Sequence, residues 1–522
     1  MRRLLWVVLL SVVAVGPGSP GDGDGGGRAG RGTLRIGVAP VGNLDPAQAR
    51  SVEQVLVADQ LFDSLTGYDP VTLEPVAALA ARWEVTADQR RWTFHLRPGA
   101  VFANGRAVTA ADVKYSLERV ARRGSGSPGA ELLQAVAGYG PFRNGAPDLA
   151  GVTAPAPGVV DIALDEPLAV LPSVVASPVL SVVPKEAVEA QPPAPPFAES
   201  PVGSGPFRLV SAEDGVLALE PSPGARSGVA VAGVDVVQYL DLRTAYVAFT
   251  RGKVDWARVP PDEVEAAARR YGEEAFRPYV AELFYGFNLK SPKLADPRVR
   301  EAIVRGIDRR AVVAAVYHGT VAPAAGVMLA GLPGARADGC PKCGHDPGEA
   351  RRLLAEAFPA GGGPPEMTLD YDADPTQEAM ARAVQASLAS VGIAVALRAT
   401  PAEGYDRQVV SGDQEVFRLG WIAAYPSPDA VLTPLFRSGS PNNLTGYGDP
   451  AVDRLLASAR GEGEPARRTA LYQEAERAIM DAVPIIPIAQ LQLQSVVSGR
   501  VRGLVVTTMG TFDAAAVSVA GG

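Results

Sequence analysis

The chain has 522 residues, of which 47% are hydrophobic and only 20% charged, with a net charge of −8. That length exceeds what one compact core organises, so two or three domains are expected. The acidic balance excludes the basic footprint of a nucleic-acid-binding protein and polybasic attachment to anionic lipid.

The N-terminus opens with Arg2 and Arg3 ahead of an apolar run from Leu4 to Val15. That run has the length of a signal-peptide core and is too short to span a bilayer. A Gly-rich linker follows, so residues 1–32 are expected to be leader and linker and the protein extracytoplasmic. No Cys stands in Ala14-Val15-Gly16-Pro17, which gives no support for a lipid anchor. Later apolar runs are all interrupted by charge or proline, so the mature protein is expected to be soluble and secreted.

Folded sequence is expected from Thr33. TLRIGVA reads as a strand and Val52 to Asp63 as a helix, with Val55, Leu56, Asp59 and Phe62 at helical spacing. Trp92 to Leu96 alternates like a strand before the turn Arg97-Pro98-Gly99. Thr109 and Asp112 resemble a capping box opening a helix with Val113, Leu117 and Val120 on one face. From Arg122 to Pro201, short apolar runs such as VVDIAL and VLSVV read as strands between turns. GVDVVQYL predicts a strand, RTAYVAFTRG a helix, and Val254 to Trp256 a short strand. Pro297 marks a helix start, and RVREAIVRGIDRRAVVAAVYHG gives two consecutive helices. TLDYDA, TQEAMARAVQASLASVGI and VALRA form a β-α-β pattern. Two more helices, DPAVDRLLASA and EPARRTALYQEAERAIMDA, precede short apolar strands at the end.

Catalytic signals are sparse. The three histidines are His95, His318 and His345, and His95 reads as structural within its strand. The nucleophile elbow, H-E-x-x-H and phosphate-loop patterns are absent. No catalytic residue, metal or cofactor is expected. Cys340 and Cys343 in GCPKCGHDP can be a disulfide, half a zinc site or free thiols. Zinc needs about four ligands and only His345 stands nearby, so in an oxidising compartment a disulfide is the simplest reading. Aromatic residues cluster at Phe284, Tyr285 and Phe287 and at Trp421 and Tyr425. These are core residues or the stacking walls of a cleft.

Several segments, in order along nearly the whole mature chain, resemble the bacterial extracellular solute-binding proteins of family 5, the peptide, dipeptide and nickel type. They include LFDSLTGYDPVTLEPVAALAARWEVTADQRRWTFHLRPGAVFANGRAVTAADVKYSLERV, SPVGSGPFRLV, YGFNLKSPKLADPRVREAIVRGIDRR, GWIAAYPSPDAVLTPLF and NNLTGYGDPAVDRLLASA. The resemblance implies an α/β, two-lobed periplasmic-binding-protein fold (type II-like) with an extra inserted α+β domain in the first lobe. Lobe I would hold 33–60, 200–285 and 485–522, the inserted domain 61–199, and lobe II 286–484. The crossing strands would lie near Phe284 to Leu289 and Pro484 to Gln490. It further implies a monomer, not an enzyme, that closes over a peptide or other medium-sized polar solute and serves the permease and ATPase subunits of an ABC importer. A sensor or chaperone-like protein of the same fold and a secreted hydrolase are the competing readings. Asp45, Tyr285, Phe287, Asn288, Trp421, Ala424, Tyr425 and Asn443 are the expected ligand-binding positions, with Trp421 on the wall and Phe284 to Asn288 near the hinge.

One departure bears on the ligand. Peptide-binding members often carry an acid three positions after the Trp of the G-W motif, where it pairs with the peptide α-ammonium. Here that position is Ala424. Asp429 or Asp45 must substitute, or the ligand lacks a free ammonium, as a capped peptide, sugar oligomer, or opine-like or siderophore-like molecule would. Nickel is disfavoured by the few histidines.

Overall fold

The computed structural model describes residues 32–520, apart from 191, 193–194, 226–227, 318–319 and 362. Except for Gly32, the expected leader and linker lie outside the described residues, as does His318. The chain divides into two compact units. One is Pro278–Gln492, and the other comprises the described residues up to Arg277 together with those from Leu493 onward.

The larger unit holds a six-stranded sheet in the order Ser495–Val497, Trp256–Arg258, Leu34–Val38, Val234–Gln238, Val216–Pro221, Phe207–Glu213. The first strand, Leu34–Val38, runs parallel to both of its neighbours. One continuous core forms around Leu34, Ile36, Phe207, Val234, Val236, Trp256 and Phe512. Tyr246, Phe249, Val254 and Ala267 belong to a second buried cluster. The unit also contains an antiparallel four-stranded sheet ordered Ala80–Val85, Arg91–Leu96, Val159–Ala163, Val152–Ala156. The Ala110–Ala121 helix belongs to the same unit, and Val113, Leu117 and Val120 on it are buried. The Asp112 carboxylate accepts from the Thr109 backbone N–H at 2.9 Å, the acid half of a capping box.

The early helix spans Val52–Leu61 and is capped reciprocally by Ser51 and Gln54, a box one turn ahead of the apolar pattern. Its C-terminal turn explains the glycines of SPVGSGPF. A Cβ on Gly203 would land on the Leu61 carbonyl, and one on Gly205 would sit 2.5 Å from the Leu61 carbonyl carbon. Gly205 itself donates its N–H to that carbonyl at 3.0 Å, so backbone meets backbone where no side chain fits.

The smaller unit is built on a second six-stranded sheet, ordered Ala322–Pro323, Ile485–Leu493, Arg277–Phe287, Val416–Ile422, Met367–Asp372, Val395–Thr400. Met367–Asp372 and Val395–Thr400 are parallel, joined through the Pro375–Ala389 helix, which is the β-α-β unit read from the sequence. Five helices of this unit begin with an acid followed by proline, at Asp296, Asp346, Asp374, Asp449 and Glu464. Each acid caps the N–H groups two or three residues on, while proline at the first position has no N–H to leave unpaired.

Three local readings need correction. VLSVV is a 3-10 turn, Pro178–Leu180, followed by irregular chain, because Pro178 starts a tight turn rather than a ladder. The short strand expected at Val254 to Trp256 is Trp256–Arg258, set by pairing of Trp256 with Ile36. The strand expected from Phe284 begins at Arg277, and the chain passes between the units at Arg277–Pro278 and Gln492–Leu493. Phe284 to Phe287 are therefore interior to the smaller unit.

Gly203→Ala is expected to destabilise the larger unit by at least about 1–3 kcal/mol, the cost of overpacking, measurable as a lowered denaturant midpoint. An unchanged midpoint would contradict the close approach described.

Candidate functional site

The G-W segment grows out of the strand Val416–Ile422, which pairs antiparallel with Arg277–Phe287 so that Glu282 faces Trp421 and Tyr285 faces Arg418. After Ile422 the chain turns into the helix Asp429–Phe436. The half-buried Trp421 donates its indole N–H to the Ala430 carbonyl at 2.7 Å, which fixes the ring against the start of that helix. Tyr425 is buried and donates its hydroxyl to Asp429 at 2.8 Å. Asp429, only 2% exposed, also accepts from Thr433 at 2.6 Å and from Tyr472 at 3.1 Å, and Arg460 stands 3.7 Å away. Both of its oxygens are thereby committed. Burial raises the Tyr472 phenol well above its ordinary range, with the Asp429 charge adding to the effect.

Asp45 lies in the larger unit. One of its oxygens accepts from the Ala47 N–H at 3.0 Å, and the other is paired with Arg119. The two acids that could have substituted for Ala424 are both engaged inside the protein. Ala424 is half-buried and offers no polar atom beyond its backbone.

Tyr285 and Phe287 are buried, so they pack within the smaller unit as core aromatics do. Asn288 donates to the Gly412 and Gln414 carbonyls at 3.0 and 2.8 Å, and Asn443 to the Tyr447 carbonyl at 2.8 Å. Both line one cavity of about 350 Å³, together with Lys290, Ser411 and Gly446. The structure thus brings Asn288 and Asn443 together, gathers Trp421, Ala424 and Tyr425 around the turn before Asp429, and places Asp45 in the other unit.

Sequence reasoning passed over the charged residues in these buried strands. Arg418 and Asp372 stand 3.6 Å apart beneath the surface. Among the described residues, the Tyr285 hydroxyl, one Asp372 oxygen and the Arg418 Nε have no hydrogen-bond partner. Burial is the chief cause that raises the Tyr285 phenol. Glu282 is likewise buried, and one of its oxygens has no hydrogen-bond partner among the described residues. Burial raises its carboxyl well above the ordinary value of 4.5; the nearby Glu476 adds to the rise and Arg309 opposes it. The available signal was a charge inside an apolar strand, as in VFRLGWI and AELFYGF.

Cys340 and Cys343 are joined by a disulfide, buried in a turn whose Cys340 N–H donates to the Ala325 carbonyl at 2.9 Å. Among the described residues, no group of three or more His, Cys, Asp or Glu is placed to hold a metal ion, and no helix is long and apolar enough to cross a membrane.

A chain made of two α/β units, with a G-W turn leading from a buried strand into a helix, is the framework of a solute-binding protein. Residues 74–443 match the family described as bacterial extracellular solute-binding proteins, family 5, middle region, and the chain belongs to that family. Its role is that of a substrate-binding component. Among its relatives is a probable di/tripeptide-binding protein 5 of Pseudomonas aeruginosa (strain UCBPP-PA14), 27% identical over 88% of this chain and 90% of the relative. The periplasmic oligopeptide-binding protein OppA of Escherichia coli (strain K12) is 28% identical over 87% of this chain and 86% of its own length. Among solved structures, the unliganded open form of the periplasmic murein tripeptide-binding protein MppA superposes with a TM-score of 0.82. It is 24% identical, covering 94% of this chain and 98% of that one.

Glu282 sets a pH dependence. Its folded-state pKa is raised, so the folded state holds its proton while the unfolded chain releases it. Stability must therefore fall as pH rises above about 4.5, by up to about 1.4 kcal/mol per pH unit for one site, until the folded-state value is reached. Glu282→Gln should flatten the fall in melting temperature between acidic and neutral pH; identical pH profiles for the variant and the parent chain would contradict the assignment.

Proposed function

We propose that this chain is the extracytoplasmic substrate-binding component of an ABC importer, acting as a monomer on a peptide-like or other medium-sized polar solute that carries no free α-ammonium group. The solute is captured outside the cytoplasmic membrane and presented to permease and ATPase subunits, with no bond made or broken. The leader-like N-terminus and the Cys340–Cys343 bridge fit an oxidising, extracytoplasmic location. Relatives named for di- and tripeptides, oligopeptides and glutathione support a peptide-like solute.

One observation carries the restriction on the ligand. Ala424 stands where an acid is expected, and the two candidate substitutes, Asp429 and Asp45, are already held by Tyr425, Thr433 and Tyr472 and by Arg119 respectively. An enclosed ammonium that loses its hydration without gaining a carboxylate forfeits about 2–5 kcal/mol. The capped or modified peptide avoids that loss, as does any solute whose polar groups are hydroxyls or amides.

Calorimetric titration with unmodified dipeptides and their N-acetylated counterparts tests this. Unmodified dipeptides are expected to bind weakly or not at all. Ala424→Asp should strengthen their binding by at least about 30-fold, the lower end of that energy range. Submicromolar affinity of the parent chain for unmodified dipeptides would overturn the reading.

A further inference from the structure

We propose that the larger unit contains an oxyanion-binding site, formed by Arg119, Arg122 and Arg123 around a cavity of about 320 Å³, that takes a carboxylate or phosphate group. Ala47, Gln48, Gly124 and Ser125 complete its walls. The three arginines come from the last turn of the Ala110–Ala121 helix and the residues just beyond it. A helix C-terminus favours cations near its unpaired carbonyls, which accounts for basic residues there but not for three arginines, two of them exposed, lining one concavity.

The charge count at the cavity is unbalanced. Asp45 pairs with Arg119. Among the described residues, no acidic side chain forms an ion pair with Arg122 or Arg123. Arg122 instead lies over the Phe142 ring, 5.2 Å from its centroid, a contact that holds the guanidinium plane while leaving its N–H groups to donate. Guanidinium N–H groups meet carboxylate and phosphate oxygens in a two-pronged geometry that an ammonium cannot reproduce.

The rim is fastened in place. Gln48 donates to the Ser125 carbonyl at 2.9 Å, and Ser125 donates its hydroxyl to the Val120 carbonyl at 2.9 Å. Arg50 donates to the Gly126 carbonyl. The loop after the helix is thereby tied to the segment that follows Asp45, so the backbone of the rim is held before any anion arrives, which lowers that part of the ordering cost of binding.

The proposal stands or falls apart from the importer reading, because its test uses no peptide. Inorganic phosphate and succinate are titrated separately into the full-length protein by calorimetry at low and high salt. Saturable binding of at least one probe is expected, weakening with salt and falling about tenfold or more in R122Q/R123Q. Binding of succinate alone assigns the site to carboxylates, and of phosphate alone to phosphate groups. R123Q on its own should reproduce part of the loss with an unchanged melting temperature, which keeps the test valid if the double variant folds poorly. Absence of binding by both probes at millimolar concentration, or binding unaltered by both variants, would overturn the proposal.

Discussion

A charge removed from water must be paired, and in the smaller unit that constraint converges on Asp429. Its carboxylate receives Tyr425 from the turn before it, Thr433 from its own helix and Tyr472 from the helix Pro465–Ala482, with Arg460 of the helix Pro450–Gly461 alongside. One buried acid therefore joins the G-W turn to three helices. The position of Trp421 follows, because its indole is tied to Ala430, the residue after that acid. Removing one partner of such a set leaves a charge buried and uncompensated, which is far more costly than replacing the whole set by apolar groups.

The same logic organises the larger unit. Asp255, 1% exposed, accepts from the Arg35 backbone and side chain and lies 3.3 Å from Arg500, joining the first strand of the sheet to the returning C-terminal segment. Asp45 is bound by Arg119 and by the turn it caps. Asp45 and Asp255, which look available in the sequence, are structural once folded.

Much of the architecture was legible because it rests on local chemistry. Helical spacing located the Pro297–Gly306 and Arg309–Tyr317 helices, and alternation located Arg91–Leu96. VLSVV misled because an apolar run of that length is equally a buried turn, and Pro178 decided the matter. The start of the strand Arg277–Phe287 was missed by seven residues in a stretch whose first positions, RPY, carry no apolar alternation. At the site, Trp421 and Tyr425 were visible as aromatics, but their hydrogen-bond partners were not. Arg460 and Tyr472 lie 31 and 43 positions from Asp429, and periodicity carries no information on pairings at that range. Arg418, Asp372 and Glu282 were hidden for the complementary reason, since the strands around them were read only for their apolar residues.

Asp429 is occupied by the protein itself rather than left free for a ligand. Chemical denaturation of Asp429→Asn measures this directly. Removing the charge while keeping the shape leaves the buried Arg460 facing a neutral amide, and a loss of about 3 kcal/mol or more in unfolding free energy is expected. An unchanged unfolding free energy would show that the carboxylate is not structural, and would return Asp429 as the acid that substitutes for Ala424.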